Sequence, residues 1–180
     1  MSELIHIMLH DHAWTIFPGS DGGLEVLLSL SFLLISLILL RYLRRSLIPI
    51  AILYLIGVLF FTLMIRTAGT ERMAILKPFQ TIRNAIGWDG WLVIVDRYNL
   101  YMLIANVLLF MPFGYILPSL VPATGKWYLI VPLGLLASLC IETIQYFTKL
   151  GCFDLDDLIA NTLGAFVGYM LFLLFLRRRR

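Results

Sequence analysis

Polar side chains interrupt several apolar runs of this chain, and their types are those of acid–base and oxygen-ligand chemistry. Asp154, Asp157, Asn161, Gly164 and Gly168 recur at intervals of three, four, three and four, which puts all five on one face of a helix. Asp156 falls off that stripe. Glu142 and Gln145 are three residues apart and share a face of the preceding run. Ionisable groups inside apolar runs are costly unless paired, so by default they mark function. Glu142 is the candidate general acid–base, with Asp157 as a second catalytic candidate if the chain is an enzyme. Asp154 and Asp157 are the candidate ligands for a hard cation such as Mg²⁺ or Ca²⁺. Arg66, Lys77 and Arg83 would either neutralise these acids or clamp a phosphate. The plainer alternative is a hydrogen-bonded knot that holds helices in register, each such bond contributing about 0.6 kcal/mol.

The elements that must position these groups are membrane helices. Of the 180 residues 61% are hydrophobic and only 14% charged, and the mean hydropathy is +0.91. Soluble domains carry about a quarter charged residues, so a soluble globular protein is excluded. Five apolar stretches, approximately 24–40, 47–65, 100–121, 127–147 and 155–176, are each long enough to cross hydrocarbon, allowing some thinning for the first. They lack the alternation of barrel strands, and a spanning segment must satisfy its own backbone, so the expected fold is all-α: one domain, a five-helix bundle. No internal repeat or low-complexity linker divides it.

Helical rise places the polar groups at a common depth. Glu142 lies roughly 9 Å below Thr148, Asn106 roughly 10 Å below Asn99, and Asn161 roughly 10 Å below Asp154. Asn106, Glu142, Gln145, Asp154, Asp157 and Asn161 are therefore expected to line one pocket, open to the outer leaflet. Pro112 should bend its helix below that pocket and free a carbonyl.

Orientation follows from the cations. With the tail Arg177–Arg180 in the cytoplasm, Arg41, Arg44, Arg45 and Lys126 fall there too, and five spans put the N-terminus outside. Met1–Gly23 lacks the basic start and small-residue cleavage site of a signal peptide. The external loop 67–99 carries unexpected positive charge. Within it, Phe79, Ile82, Ile86, Trp88, Trp91 and Val95 recur at helical intervals over Lys77–Val95, which predicts a helix lying along the interface.

Other patterns carry less. His6 and His10 are four apart but have no acidic or cysteine partner at set spacing, and Asp154-Leu155-Asp156 is too short a motif to specify a metal. Cys140 and Cys152 are incidental. There is no Ser/His/Asp order, phosphate loop or redox cysteine pair, and the net charge of +3 speaks for membrane orientation, not nucleic acid.

Three ordered motifs carry a resemblance: Asn106-Val-Leu-Leu-Phe-Met-Pro-Phe-Gly-Tyr-Ile-Leu-Pro118, then Ile141-Glu-Thr-Ile-Gln145, then Phe153-Asp-Leu-Asp-Asp-Leu-Ile-Ala-Asn161-Thr-Leu-Gly-Ala-Phe-Val-Gly168. Together with Lys77-Pro78-Phe79, they resemble the VanZ-like family of bacterial membrane proteins over roughly 65–169. Where members carry an Arg before the Phe-Asp segment, this chain has Leu150-Gly151-Cys152. The resemblance implies a plasma-membrane protein, in a family whose named member is associated with low-level resistance to teicoplanin and related lipoglycopeptides. The expected partners are membrane lipid, a lipoglycopeptide or a lipid-linked cell-wall precursor. Two functions follow: a binder that engages a lipid headgroup or the antibiotic and alters surface access, or an intramembrane enzyme acting on a phospholipid or polyprenyl-phosphate headgroup.

Overall fold

The computed structural model describes residues 27, 28, 30–32, 34, 35, 38, 47–60, 62, 71–86 and 97–175. Among these, three helices are long and apolar enough to cross a membrane. We number the elements α1 (Ile48–Leu59), β1 (Met73–Ile75), α2 (Gln80–Ile86), α3 (Arg97–Leu120), α4 (Trp127–Thr148), β2 (Cys152–Asp154) and α5 (Leu155–Phe175), with a single 3₁₀ turn, Pro122–Thr124, between α3 and α4. The last three expected spans correspond to α3, α4 and α5. The second is represented by α1, 12 residues long and shorter than a crossing, and most of the first lies outside the described residues.

α3 and α5 run parallel and pack most extensively. Small residues are the reason. A Cβ added at Gly164 would run into the Val107 carbonyl, one at Gly168 into that of Met111, and one at Gly114 into that of Ala165. Between apolar helices in lipid, such close backbone approach is the main source of attraction. Pro112 and Pro118 lie inside α3, which continues through both to Leu120. Pro112 removes the donor for the Leu108 carbonyl; the next carbonyl, that of Leu109, accepts the Tyr54 hydroxyl of α1 at 2.9 Å. Tyr54 thereby joins a core of Ile50, Val58, Leu109, Phe110, Ile116 and Ile141. A second core of Ile130, Ala165, Tyr169 and Phe172 fixes α4 to α5.

α4 and α5 are antiparallel and fastened along their length. Glu142 accepts the Asp154 N–H at 3.1 Å, Asn161 donates to Ser138 at 2.9 Å, and Tyr169 donates to the Gly125 carbonyl at 3.1 Å. α4 ends where Lys149 turns left-handed (φ 58°) and the Leu150 N–H returns to the Gln145 carbonyl at 3.0 Å, a closing bond that caps orphan carbonyls.

Two differences from the expected all-α fold matter. The segment expected as a loop contains β1, which pairs in parallel with β2, Met73 opposite Cys152 and Ile75 opposite Asp154. Within the range 77–95, expected as an interfacial helix, the described residues form the 7-residue α2, while Trp88, Trp91 and Val95 lie outside the described residues. Because Glu142 sits roughly 9 Å before the end of α4 yet meets the first residue before α5, β2 must run back alongside the last turns of α4. Pairing with β1 then satisfies backbone that is below the helix end.

Candidate functional site

Segment 71–86 is held against the helix bundle by buried carboxylates. At its centre Lys77-Pro78-Phe79-Gln80 makes a turn, with the Gln80 N–H directed at the Lys77 carbonyl at 3.4 Å. Proline suits the first central position, but Phe79 (φ 63°) occupies a left-handed position that normally falls to glycine or asparagine, at a cost of about 1 kcal/mol. Asp156 offsets this. Its Oδ1 accepts the Phe79 N–H at 2.6 Å and its Oδ2 accepts the Ile82 N–H at 3.0 Å, so one carboxylate caps α2 from another helix. Asp156 is 0% exposed.

Asp154 works beside it. Oδ1 accepts the Asp156 N–H at 2.9 Å, the N-cap bond that starts α5, and Oδ2 accepts the Thr81 hydroxyl at 2.7 Å. Burial pushes the Asp154 carboxyl above its usual range, with the Asp156 N–H and the Thr81 hydroxyl opposing and the Asp156 charge adding to the rise. Burial likewise pushes the neighbouring Cys152 thiol up to about 12, with the Asp154 charge adding to the shift. Glu142, 2% exposed, closes the chain through the Asp154 N–H.

The sequence-predicted residues separate into groups. Glu142 and Asp154 come together, and Asp157 lies half-buried in the first turn of α5. Asn161, 4% exposed, joins α4 through Ser138, while its Oδ1 and the Nδ2 of Asn106 are buried without a hydrogen-bond partner. Gln145 donates to the Thr62 carbonyl at 2.9 Å, linking α4 to the chain just beyond α1. Lys77 and Arg83 are exposed on segment 71–86; Arg66 lies outside the described residues. Among the described residues no three His, Cys, Asp or Glu side chains converge as a metal-binding group, and both oxygens of Asp154 are engaged by protein donors.

Asp156 is the residue that helical spacing overlooked. In the first turn of a helix a side chain need not follow the stripe that packs below it. The signal was the Pro-Phe turn, whose inward N–H groups require an acceptor. Thr81 and Ser138 were missed because a single hydroxyl carries no periodicity.

Beside the carboxylates lies a cleft of about 350 Å³ lined by Pro78, Leu135, Leu155, Leu158, Ile159 and Thr162. It is apolar, unlike the polar pocket expected from the sequence. The Thr162 hydroxyl turns back to the Leu158 carbonyl at 2.7 Å.

The chain is similar to Protein VanZ of Enterococcus faecium, 35% identical over 77 residues, a stretch covering 41% of this chain and 45% of that relative. The match thus spans less than half the length of the curated relative. No solved structure matches. The VanZ/LLP1 family model matches residues 47–176, which include every described element from α1 to α5, and the chain belongs to that family.

Proposed function

We propose that this chain is a multi-pass protein of the bacterial plasma membrane, N-terminus outside and C-terminus cytoplasmic, that lowers the access of a lipoglycopeptide such as teicoplanin to the outer membrane face. It does so by engaging a lipid headgroup or the antibiotic at the end of the bundle where segment 71–86 is fastened. The observation that carries this reading is the double acceptance by Asp156 of the Phe79 and Ile82 N–H groups. A buried carboxylate engaged by backbone donors is a fastening. What it fastens is a segment on which Arg72, Lys77 and Arg83 are exposed; with the N-terminus outside, these cations fall on the exterior side, where the positive-inside rule disfavours them. Family membership and the similarity to Protein VanZ support the link to teicoplanin.

The test is expression in a teicoplanin-susceptible bacterium. The chain should raise the inhibitory concentration for teicoplanin and not for a glycopeptide without an acyl tail, and Asp156→Ala should abolish the effect at equal membrane abundance. Unchanged susceptibility with the native chain present in the membrane would reject the reading.

A further inference from the structure

The cleft between α4 and α5 has a geometry that the carboxylate network does not use. Its walls are Leu135 from α4 and Leu155, Leu158, Ile159 and Thr162 from α5. Thr162 spends its hydroxyl on its own helix. From Leu155 to Thr162 it follows α5 for roughly 10 Å, and Leu135 and Ile159 are 45% and 37% exposed, so it opens sideways into hydrocarbon. Pro78 forms its rim at the end where α5 begins. Lys77, the neighbour of Pro78 in the turn, is exposed and basic. Asp154 and Asp156, on either side of Leu155, direct their carboxylates to Thr81 and the backbone, and Asp157 is half-buried. An apolar slot of this length with a basic residue next to its rim matches the chemistry of an anionic lipid, with its chain in the slot and its phosphate at the cation.

We propose that this cleft seats one acyl chain of an anionic phospholipid, with the lipid phosphate against the Lys77 ammonium. The proposal rests on the functional reading above in that it uses the same end of the bundle, and it names the headgroup class. A bilayer supplies this ligand at high local concentration, whereas a tailed antibiotic must compete for the slot. Asp156 is a positioning residue here, since its bonds to Phe79 and Ile82 set Pro78 over the rim.

The experiment is native mass spectrometry of the full chain in detergent, with equimolar phosphatidylglycerol and phosphatidylcholine carrying identical acyl chains. Phosphatidylglycerol should be retained about fivefold more than phosphatidylcholine, the factor expected of one lysine at a membrane surface. Lys77→Gln, at an exposed position that leaves the fold intact, should bring the ratio close to one. Leu135→Trp, which fills the cleft, should reduce retention of both lipids severalfold, with thermal melting used to verify that the variant is folded; Ile159→Trp serves as the second filling variant. Equal retention of the two lipids by the native chain overturns the proposal. So does an unchanged ratio in Lys77→Gln, undiminished retention in a folded cleft-filled variant, or retention of added teicoplanin without lipid. Failure here with teicoplanin protection intact rejects the lipid seat alone, and lost protection with lipid selectivity intact rejects the functional reading alone.

Discussion

Asp156 and Phe79 are 77 residues apart in sequence and 2.6 Å apart at their hydrogen-bonding atoms. The Phe79 backbone, strained at positive φ, is held by a carboxylate in the first turn of α5. Removing that carboxylate leaves two inward N–H groups without an acceptor. Asp156→Ala should therefore destabilise segment 71–86 by about 3 kcal/mol, seen as faster amide hydrogen exchange over 79–86 in detergent. Asp156→Asn should recover little, because its NH₂ faces one of the two donors.

Gly168 and Gly57 give a paired comparison. A methyl group at Gly168 meets the Met111 backbone, whereas one at Gly57 meets the far edge of the Phe32 ring. Backbone between two packed helices cannot yield locally, but a ring can swing aside. Gly168→Ala should cost about 1–3 kcal/mol and Gly57→Ala well under about 1 kcal/mol, as measured by thermal unfolding in the same detergent.

Asp154 makes the fastening pH-dependent. Its folded carboxyl titrates above the unfolded one, so between the two values the folded state holds more protons. Stability from this group is present at acid pH and lost as pH rises through the raised folded value. Exchange over 79–86, corrected for intrinsic rates, should slow as pH is lowered through the raised folded value. Asp154→Asn should flatten the dependence.

Asn106 separates structure from function. Its Nδ2 is buried without a partner, a condition that costs about 1–3 kcal/mol. Asn106→Leu should leave the melting temperature unchanged or higher. If its amide serves the function proposed above, teicoplanin protection should fall in the same variant, an outcome a purely structural amide would not give.

Cys152 should be inert. With its thiol pushed up to about 12, almost no thiolate exists at neutral pH, and the thiolate is the nucleophile. Alkylation of Cys152 by iodoacetamide should be far slower than for a free cysteine peptide and should accelerate only as pH approaches 12, as read by peptide mass mapping that separates it from the exposed Cys140.

The last three membrane segments are legible in the sequence because composition over about 20 residues decides them; the stretch expected at 127–147 is α4 at Trp127–Thr148. The Gly164 and Gly168 stripe likewise predicts close packing from spacing alone. Asp156, Phe79 and the strand pair were hidden for a different reason. Three-residue strands have too few positions for alternation to show, and the role of Asp156 depends on a turn far away in sequence. Glu142 and Gln145 share a helix face but not a partner, which spacing does not reveal: Glu142 accepts the Asp154 N–H and Gln145 donates to the Thr62 carbonyl.

The parallel pairing of β1 with β2 also sets an order of assembly. β1 leaves the ribosome well before its partner, and at 5–20 residues per second the wait is roughly 4–16 s. Throughout that interval the early strand has an open edge and the Pro-Phe turn lacks its acceptor. The final helix is therefore a keystone: nascent chains arrested before it emerges would display the segment unclosed to whatever quality-control machinery patrols the membrane.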